Sequence, residues 1–353
     1  MNTTVLYCRP GFEGECAQEI QTLAAEHAVF GYAKTNPGSA YVVFQSQETG
    51  DADRLMKQLP FQELVFARQW FVSAPLLKDL PTDNRLGPIM DIVRGFDSKF
   101  SEVQVEAADT NEAKELLVFC RKFTSPLVAA LKKAELLKPG ARLPRLHVFF
   151  LSSTSCYVGY ARSDNSAPWF MGIPRLKFPK DAPSRSTLKL EEAWHQFIPA
   201  NDWDTLLAGG MKAVDLGAAP GGWTWQLVKR SMFVTAIDNG PMDKALMETG
   251  QVEHLRVDGF RFKPPKRVDW VVCDMVEQPI RIAELISHWI AHRYATRAIF
   301  NLKLPMKKRW AELERCREHI IEAMHAAGAR FELSIKQLYH DREEVTCYLV
   351  RLD

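Results

Sequence analysis

The sequence predicts an α/β protein in two parts: a smaller mixed α/β region, then a doubly wound, largely parallel sheet. Three observations predict it. From Ser186 onward short apolar runs alternate with helical patterns, as in parallel sheets with crossover helices. One of those runs, Ala213–Leu216, ends in a small-residue turn, Gly217-Ala218-Ala219-Pro220-Gly221-Gly222, that opens a helix. A loop-like stretch, Asp164–Ser186, carries Pro168, Pro174, Pro179, Pro183 and Gly172 between the two parts. The expected boundaries are residues 1–165 for the first region, 166–185 for a Pro-rich linker and 186–353 for the second domain.

The elements follow in order. Val5–Cys8 is a short apolar run, Pro10-Gly11 a turn, and Glu15 to His27 a helical pattern. Ala40–Gln45 and Leu64–Val72 read as strands, as does Ser101–Ala107, where Val103 and Val105 alternate with polar neighbours. Ser125–Leu137 is helical and closed by Pro139-Gly140. Arg145–Leu151 and Ser155–Tyr160 form a hairpin of strands. In the second domain the strands are Met211–Gly217, Met232–Asp238, Val252–Val257, Val268–Asp274, Arg297–Lys303, Phe331–Lys336 and Val345–Arg351. The clearest helix is Lys308–Ala327, with Trp310, Leu313, Ile320, Ile321 and Met324 on one face. The last two strands, joined by the short polar loop Gln337–Glu343, form an antiparallel hairpin.

With 46% hydrophobic and 25% charged residues in 353, the chain is an ordinary globular one, neither disordered nor a disulfide miniprotein. No apolar run has the length of a membrane span, and the first residues lack a signal-peptide pattern. Seven scattered cysteines without a C-x-x-C pair point to reduced thiols in the cytoplasm, and no Cys/His grouping has zinc spacing, so no metal is expected. The net charge of +2 is uneven: residues 1–120 carry 10 Lys and Arg against 17 Asp and Glu, the rest 35 against 26. The densest basic stretch, 121–145, sets Arg121, Lys122, Lys132, Lys133, Lys138, Arg142 and Arg145 against Glu135 alone. Others run from Arg175 to Lys189 and from Lys303 to Arg309. Clustered cations in a nearly neutral chain favour a polyanion partner, nucleic acid above all.

The turn Asp215-Leu216-Gly217-Ala218-Ala219-Pro220-Gly221-Gly222-Trp223 lacks the dinucleotide fingerprint G-x-G-x-x-G, but its glycines let a ligand approach the backbone closely. Asp238, 23 residues after Asp215, ends the second strand and suits a ribose diol. Asp258 follows the third strand, where it could accept from an adenine amino group, and Asp274 ends the fourth.

Here the chain resembles the FtsJ-type RNA 2′-O-ribose methyltransferases, which use S-adenosylmethionine and a Lys-Asp-Lys-Glu tetrad. The resemblance implies a Rossmann-like methyltransferase domain with a seven-stranded, mostly parallel sheet. It places the tetrad on Lys189, Asp274, Lys303 and Glu344, with Glu343 adjacent as a rival for the last. It places the cofactor against Ser186, Ala219, Pro220, Gly221, Gly222, Asp238, Asp258 and Asp274. The segment Cys8-Arg9-Pro10-Gly11-Phe12-Glu13-Gly14-Glu15-Cys16 and the basic run before residue 160 are similar to a narrower bacterial group that methylates a cytidine ribose of large-subunit (23S) ribosomal RNA. Its members join an RNA-binding THUMP region to the methyltransferase domain. The partner so implied is ribosomal RNA; no membrane and no obligate protein partner is expected, which is compatible with a monomer and leaves the oligomeric state open.

The tetrad also fits the chemistry. A sulfonium methyl is already electrophilic, so the protein must position the hydroxyl and take its proton. A free lysine, pKa about 10.4, is protonated at neutral pH. Lys189 beside Lys303 would lower it, with Asp274 orienting Lys303 and Glu344 holding Lys189. Ser186 is placed to cap the helix bearing Lys189 and to meet the cofactor's carboxylate. Three other readings compete. Ser186-Thr187-Leu188-Lys189 matches S-x-x-K and Ser163-Asp164-Asn165 matches S-D-N, but their order is reversed and K-T-G is missing. RNA cytosine-C5 methyltransferases share the Ala-Pro-Gly-Gly turn, but Cys273 precedes Asp274 instead of following it, and Thr346-Cys347 falls in the final strand. A non-catalytic RNA-binding module on the same fold would not need the tetrad.

Overall fold

The computed structural model describes residues 1–353, which divide into two compact units, Met1–Ile173 and Pro174–Asp353. The division falls within the segment expected to be a linker, and residues 166–173 are not free chain. The Gln69 side chain donates to the Ala167 carbonyl at 2.9 Å and accepts its N–H at 3.1 Å, and Met171 N–H donates to Glu106 Oε1 at 2.5 Å.

The first unit opens with β1 (Thr3–Tyr7), α1 (Glu13–Glu26), β2 (Gly31–Thr35), β3 (Tyr41–Ser46), α2 (Asp51–Gln58) and β4 (Gln69–Ser73). This βαββαβ order is the ferredoxin-like arrangement. Then come α3 (Leu86–Arg94), β5 (Glu102–Ala107), α4 (Lys114–Lys133), β6 (Arg145–Ser152) and β7 (Ser155–Ala161). One seven-stranded sheet runs through both halves in the order β2-β3-β1-β4-β7-β6-β5. The halves join where β4 meets β7 over only two residue pairs, Val72↔Tyr160 and Ser73↔Gly159. Gly159 is required there, since a Cβ on it would stand 1.9 Å from the Val72 carbonyl oxygen.

Three elements escape the sequence pattern. β2 is a largely exposed edge strand with no apolar alternation. The helices α2 and α3 are only eight and nine residues long, with three or four buried positions each. α4 begins eleven residues before its expected start. Pro126, a residue suited to the first turn of a helix, lies mid-helix. The helix continues through it because Leu116, Leu117, Phe119, Cys120 and Phe123 pack on the core under β5 and β6.

The second unit contains α5 (Thr187–Phe197), α6 (Trp203–Leu206), β8 (Lys212–Leu216), α7 (Gly222–Lys229), β9 (Phe233–Ile237), α8 (Lys244–Glu248), β10 (Val252–Leu255), β11 (Val268–Cys273), α9 (Pro279–Ala291), β12 (Ala295–Lys303), α10 (Arg309–Ala326), β13 (Phe331–Lys336) and β14 (Glu344–Arg351). All seven expected strands are present. The sheet order is β10-β9-β8-β11-β12-β14-β13, parallel except for β14, which runs antiparallel to both its neighbours. The core gathers Trp194, Trp223, Trp270 and Leu227. β8 is followed outward by β9 and β10 on one side, and β11 leads to β12 on the other. The topological switch therefore falls between β8 and β11, where such sheets bind ligands at their carboxyl ends. No helix is long and apolar enough to cross a membrane.

Candidate active site

Each predicted residue can be located from the strand that carries it. β8 runs into Gly217 (φ +79), whose N–H donates to the Ile237 carbonyl at 2.9 Å. The Ala219–Pro220 bond is cis, and Gly221 (φ +117) caps α7. Both glycines hold a backbone that other residues rarely adopt. Asp238, just past β9, ties this turn together: Oδ2 accepts from Ala219 N–H at 3.0 Å and Oδ1 from Gly240 N–H at 2.7 Å. Pro220 anchors the turn from its other side, its carbonyl accepting from Asp243 N–H at 3.0 Å.

Asp258 differs in setting. β10 stops at Leu255, so Asp258 stands exposed in the following turn, accepting from Phe260 N–H at 2.9 Å. A Cβ on the next residue, Gly259, would be 3.3 Å from Met275 Sδ, which puts this turn at the carboxyl edge beside β11. Ser186 precedes α5 but its side chain does not cap the helix; its Oγ pairs with Ser184 Oγ at 2.6 Å. A Cβ on Gly222 would strike that pair, 2.2 Å from Ser186 Oγ. The two serines thus fill the space beside α7, and this occupation displaces the expected cap.

The four tetrad residues converge. Strand register does most of this: Lys303 on β12 lies directly opposite Glu344 on β14, and Cys273 opposite Phe300 sets Asp274 beside Asn301. Lys303 Nζ is 2.5 Å from Asp274 Oδ1 and 3.7 Å from Glu344 Oε1. Lys189, from α5, bonds Glu344 closely and lies 3.4 Å from Asp274 Oδ2. Glu343 is not part of the cluster: it is exposed and pairs with Arg309 at 2.6 Å.

The expected partners are present, Asp274 on Lys303 and Glu344 on Lys189, but each lysine also faces the other carboxylate. Two ammonium groups are interleaved with two carboxylates. Burial alone would lower the Lys189 pKa, but Asp274 and Glu344 outweigh it and hold it above its ordinary value. Burial would raise Glu344, and the Lys189 hydrogen bond with both lysine charges brings it below its ordinary value.

Other polar residues stand behind the cluster that the sequence reading did not single out. Asn301 Nδ2 donates to Asp274 Oδ1 at 2.8 Å, and Thr346 Oγ1 lies 2.8 Å from Asn301 Oδ1. Both positions sit two residues from a tetrad member on the same strand face, Asn301 from Lys303 and Thr346 from Glu344. The period of two was the signal that could have found them. All seven cysteines are buried. Cys273 is pushed up to about 12, first by burial, so no thiolate nucleophile faces this edge.

Comparison with known proteins agrees with this geometry. Residues 182–330 match the FtsJ-like methyltransferase family, residues 84–162 the N-terminal domain of ribosomal RNA large subunit methyltransferase M, and residues 1–71 the RlmM ferredoxin-like domain. The first-unit matches carry these descriptions rather than the THUMP description expected, in keeping with the βαββαβ order. The chain is 55% identical over 354 residues to the ribosomal RNA large subunit methyltransferase M of Pectobacterium carotovorum subsp. carotovorum, covering 99% of this chain and 97% of the relative. It is 54% identical over 355 residues to that of Klebsiella pneumoniae, covering 100% and 97%. The corresponding protein of Shigella sonnei is 52% identical over 355 residues, with 100% and 97% covered. A tetrad at the carboxyl edge of an FtsJ-like sheet and identity of this level over the whole chain lead to one conclusion: the protein belongs to the ribosomal RNA large subunit methyltransferase M family and is an rRNA methyltransferase.

Proposed function

We propose that the chain transfers the methyl group of S-adenosylmethionine to a ribose 2′-hydroxyl of RNA, that of a cytidine in large-subunit rRNA. The observation that carries this reading is the cluster of Lys303, Asp274, Lys189 and Glu344 at the topological switch, side by side with the glycine turn. The donor set there suits the cofactor. Asp238 spends one lone pair of each oxygen on the backbone of the turn and keeps others for a ribose diol, and Asp258 and Met275 border the same edge. Ser186, Ala219, Pro220, Gly221, Gly222, Asp258 and Asp274 complete the proposed cofactor contacts. When bound, the cofactor supplies a methyl on a positively charged sulfur, ready for in-line displacement.

The chain's own residues orient the acceptor and handle its proton. Asp274 fixes the Lys303 ammonium, and Glu344 holds Lys189 across the mouth. Once Lys303 has released its own proton to solvent, its amine would accept the 2′-hydroxyl proton as the oxygen–carbon bond forms and the carbon–sulfur bond breaks, which restores the ammonium that Asp274 holds. A cytosine-C5 reaction needs a thiolate, which the buried Cys273 does not provide.

RNA delivery falls to the first unit. Arg121, Lys122, Lys132 and Lys133 on α4, with Lys138 and Arg142 beyond it, are all exposed, whereas Arg145 is held by Glu102 at 2.5 Å. Such a face contacts phosphates and makes affinity fall with salt. The cytoplasm, where rRNA is made, is the proposed location. The test is methyl transfer from S-adenosylmethionine to transcribed large-subunit rRNA, followed by nucleoside mapping. The expected product is a single 2′-O-methylcytidine; a methyl on a base would overturn the reading.

A further inference from the structure

Behind the tetrad lies a buried acid that the reaction as described does not use. Asp341, in the turn before β14, is almost fully buried, with Thr346 Oγ1 3.2 Å from its Oδ1 and 3.0 Å from its Oδ2. Its Oδ2 also accepts from Leu338 N–H at 2.9 Å. From Asp341 a continuous run of hydrogen bonds leads through Thr346 and Asn301 to Asp274 and ends on Lys303.

The direction of each bond in that run is forced by donor and acceptor counting. Asp274, gripped by two ammonium groups, is a carboxylate and only accepts, so the Asn301 atom facing it is the NH₂. The Asn301 oxygen then faces Thr346 and must receive its single hydroxyl proton. With its one proton committed to Asn301 at 2.8 Å, Thr346 can bond Asp341, 3.0–3.2 Å away, only if the proton there comes from Asp341. Asp341 Oδ2 is taken by Leu338 N–H, which leaves Oδ1 for the proton. The charges around Asp341 agree. Burial first, then the Glu344 carboxylate and last that of Glu192, push it well above the ordinary carboxylate range, against the Leu338 N–H bond and the pull of Lys189.

We propose that Asp341, as a neutral acid, is a positioning residue for methyl transfer: through Thr346 and Asn301 it fixes the Asp274 carboxylate that holds Lys303. A flipped Asn301 amide would turn its oxygen toward Asp274 and repel it, and the protonated Asp341 is what forbids the flip. This rests on the tetrad reading above and adds a group that touches neither cofactor nor RNA.

The test compares Asp341→Asn, Asp341→Ala and Thr346→Val in the full-length protein. Single-turnover methyl transfer, S-adenosylmethionine affinity and melting temperature are measured together. Asparagine is neutral and offers an N–H where the acid offered its O–H, so Asp341→Asn should stay within about threefold of wild type. Asp341→Ala and Thr346→Val should each lose about tenfold, the scale of one net hydrogen bond, with cofactor affinity unchanged. An Asp341→Asn enzyme as slow as Asp341→Ala would show that the charge is needed, and a Thr346→Val enzyme at the wild-type rate would show that no relay runs through it. Either result overturns the proposal. If a variant fails to fold, carbon NMR of the wild-type Asp341 carboxyl decides independently of activity: a neutral acid at pH 7 is expected, and an ionised one refutes the proposal. Lys303→Ala, measured alongside, separates the two readings, because retained activity there sinks the tetrad whatever Asp341 does.

Discussion

Each unit hides a cluster of ionisable side chains on its sheet, but only one of the two is open to solvent. In the first unit Glu106 on β5 is fully buried with His147 on β6 and Tyr7 on β1. Its Oε2 accepts from the Tyr7 hydroxyl at 2.7 Å and faces His147 Nδ1 at 3.3 Å, while Oε1 takes Met171 N–H. Every direction is filled by protein. In the second unit three tetrad side chains sit at strand ends and Lys189 on α5, and the four keep between 7% and 21% of their surface exposed. The comparison teaches that burial of charge is not the mark of an active site. What sets the proposed active site apart is that its charges lie at an open carboxyl edge.

The largest expected effect tests the open cluster. Lys303→Ala should lose about 10²–10⁴-fold in single-turnover methyl transfer, the range that general-base catalysis supplies. Lys303→Arg should be nearly as slow, since arginine keeps the charge but does not release its proton. Cofactor affinity, measured by calorimetry, should hold in both. An arginine enzyme within tenfold of wild type would make Lys303 a mere holder of charge and erase the contrast between the clusters.

The closed cluster should respond the opposite way. Glu106→Ala strands three buried groups at once and should cost about 3–5 kcal/mol of stability, as breaking a buried charged network does. Below the melting transition, methyl transfer per folded molecule should stay within about twofold. A large loss of rate with unchanged melting would mean that the first unit's cluster takes part in the reaction.

The two units also differ in how much of them was legible in the sequence. The second unit's strands are near-continuous apolar runs because both faces of a parallel sheet are covered, so KAVDL, FVTAI and VDWVVC announced themselves. In the first unit the GYAKT edge strand carries no such signal, and α4 starts at Lys114, well before the expected Ser125, because tertiary packing extends it. The tetrad was readable because its members end strands or sit beside a glycine turn. The Asp341–Thr346–Asn301 run was not, because its members are joined across strands and a linear pattern does not display register. The balance of charge around Lys189 was missed for the same reason. The sequence reading paired Asp274 with Lys303 and Glu344 with Lys189, but not the cross contacts by which each lysine also faces the other carboxylate.

The smallest predicted effect concerns a third buried acid, intermediate between the clusters. Asp215 on β8 is as buried as Glu106 but has a single donor residue, Thr224, whose hydroxyl bonds its Oδ2 at 2.6 Å. Burial, opposed by that bond and reinforced by the charges of Asp274 and Asp238, pushes it up to about 7 from 3.8. Between those values the folded protein keeps a proton that the unfolded chain has released. The unfolded state then binds fewer protons, so stability falls as pH rises from about 4 to about 7 and levels off above. Asp215→Asn removes the titration while leaving an oxygen for Thr224. The variant should therefore melt at a higher temperature than wild type at pH 8, by several degrees at roughly 2–4 °C per kcal/mol for a domain of this size. At pH 5 the gain should be clearly smaller. An equal difference at both pH values would mean that Asp215 is ionised throughout, and that a single threonine satisfies a buried carboxylate as fully as the three groups around Glu106 do.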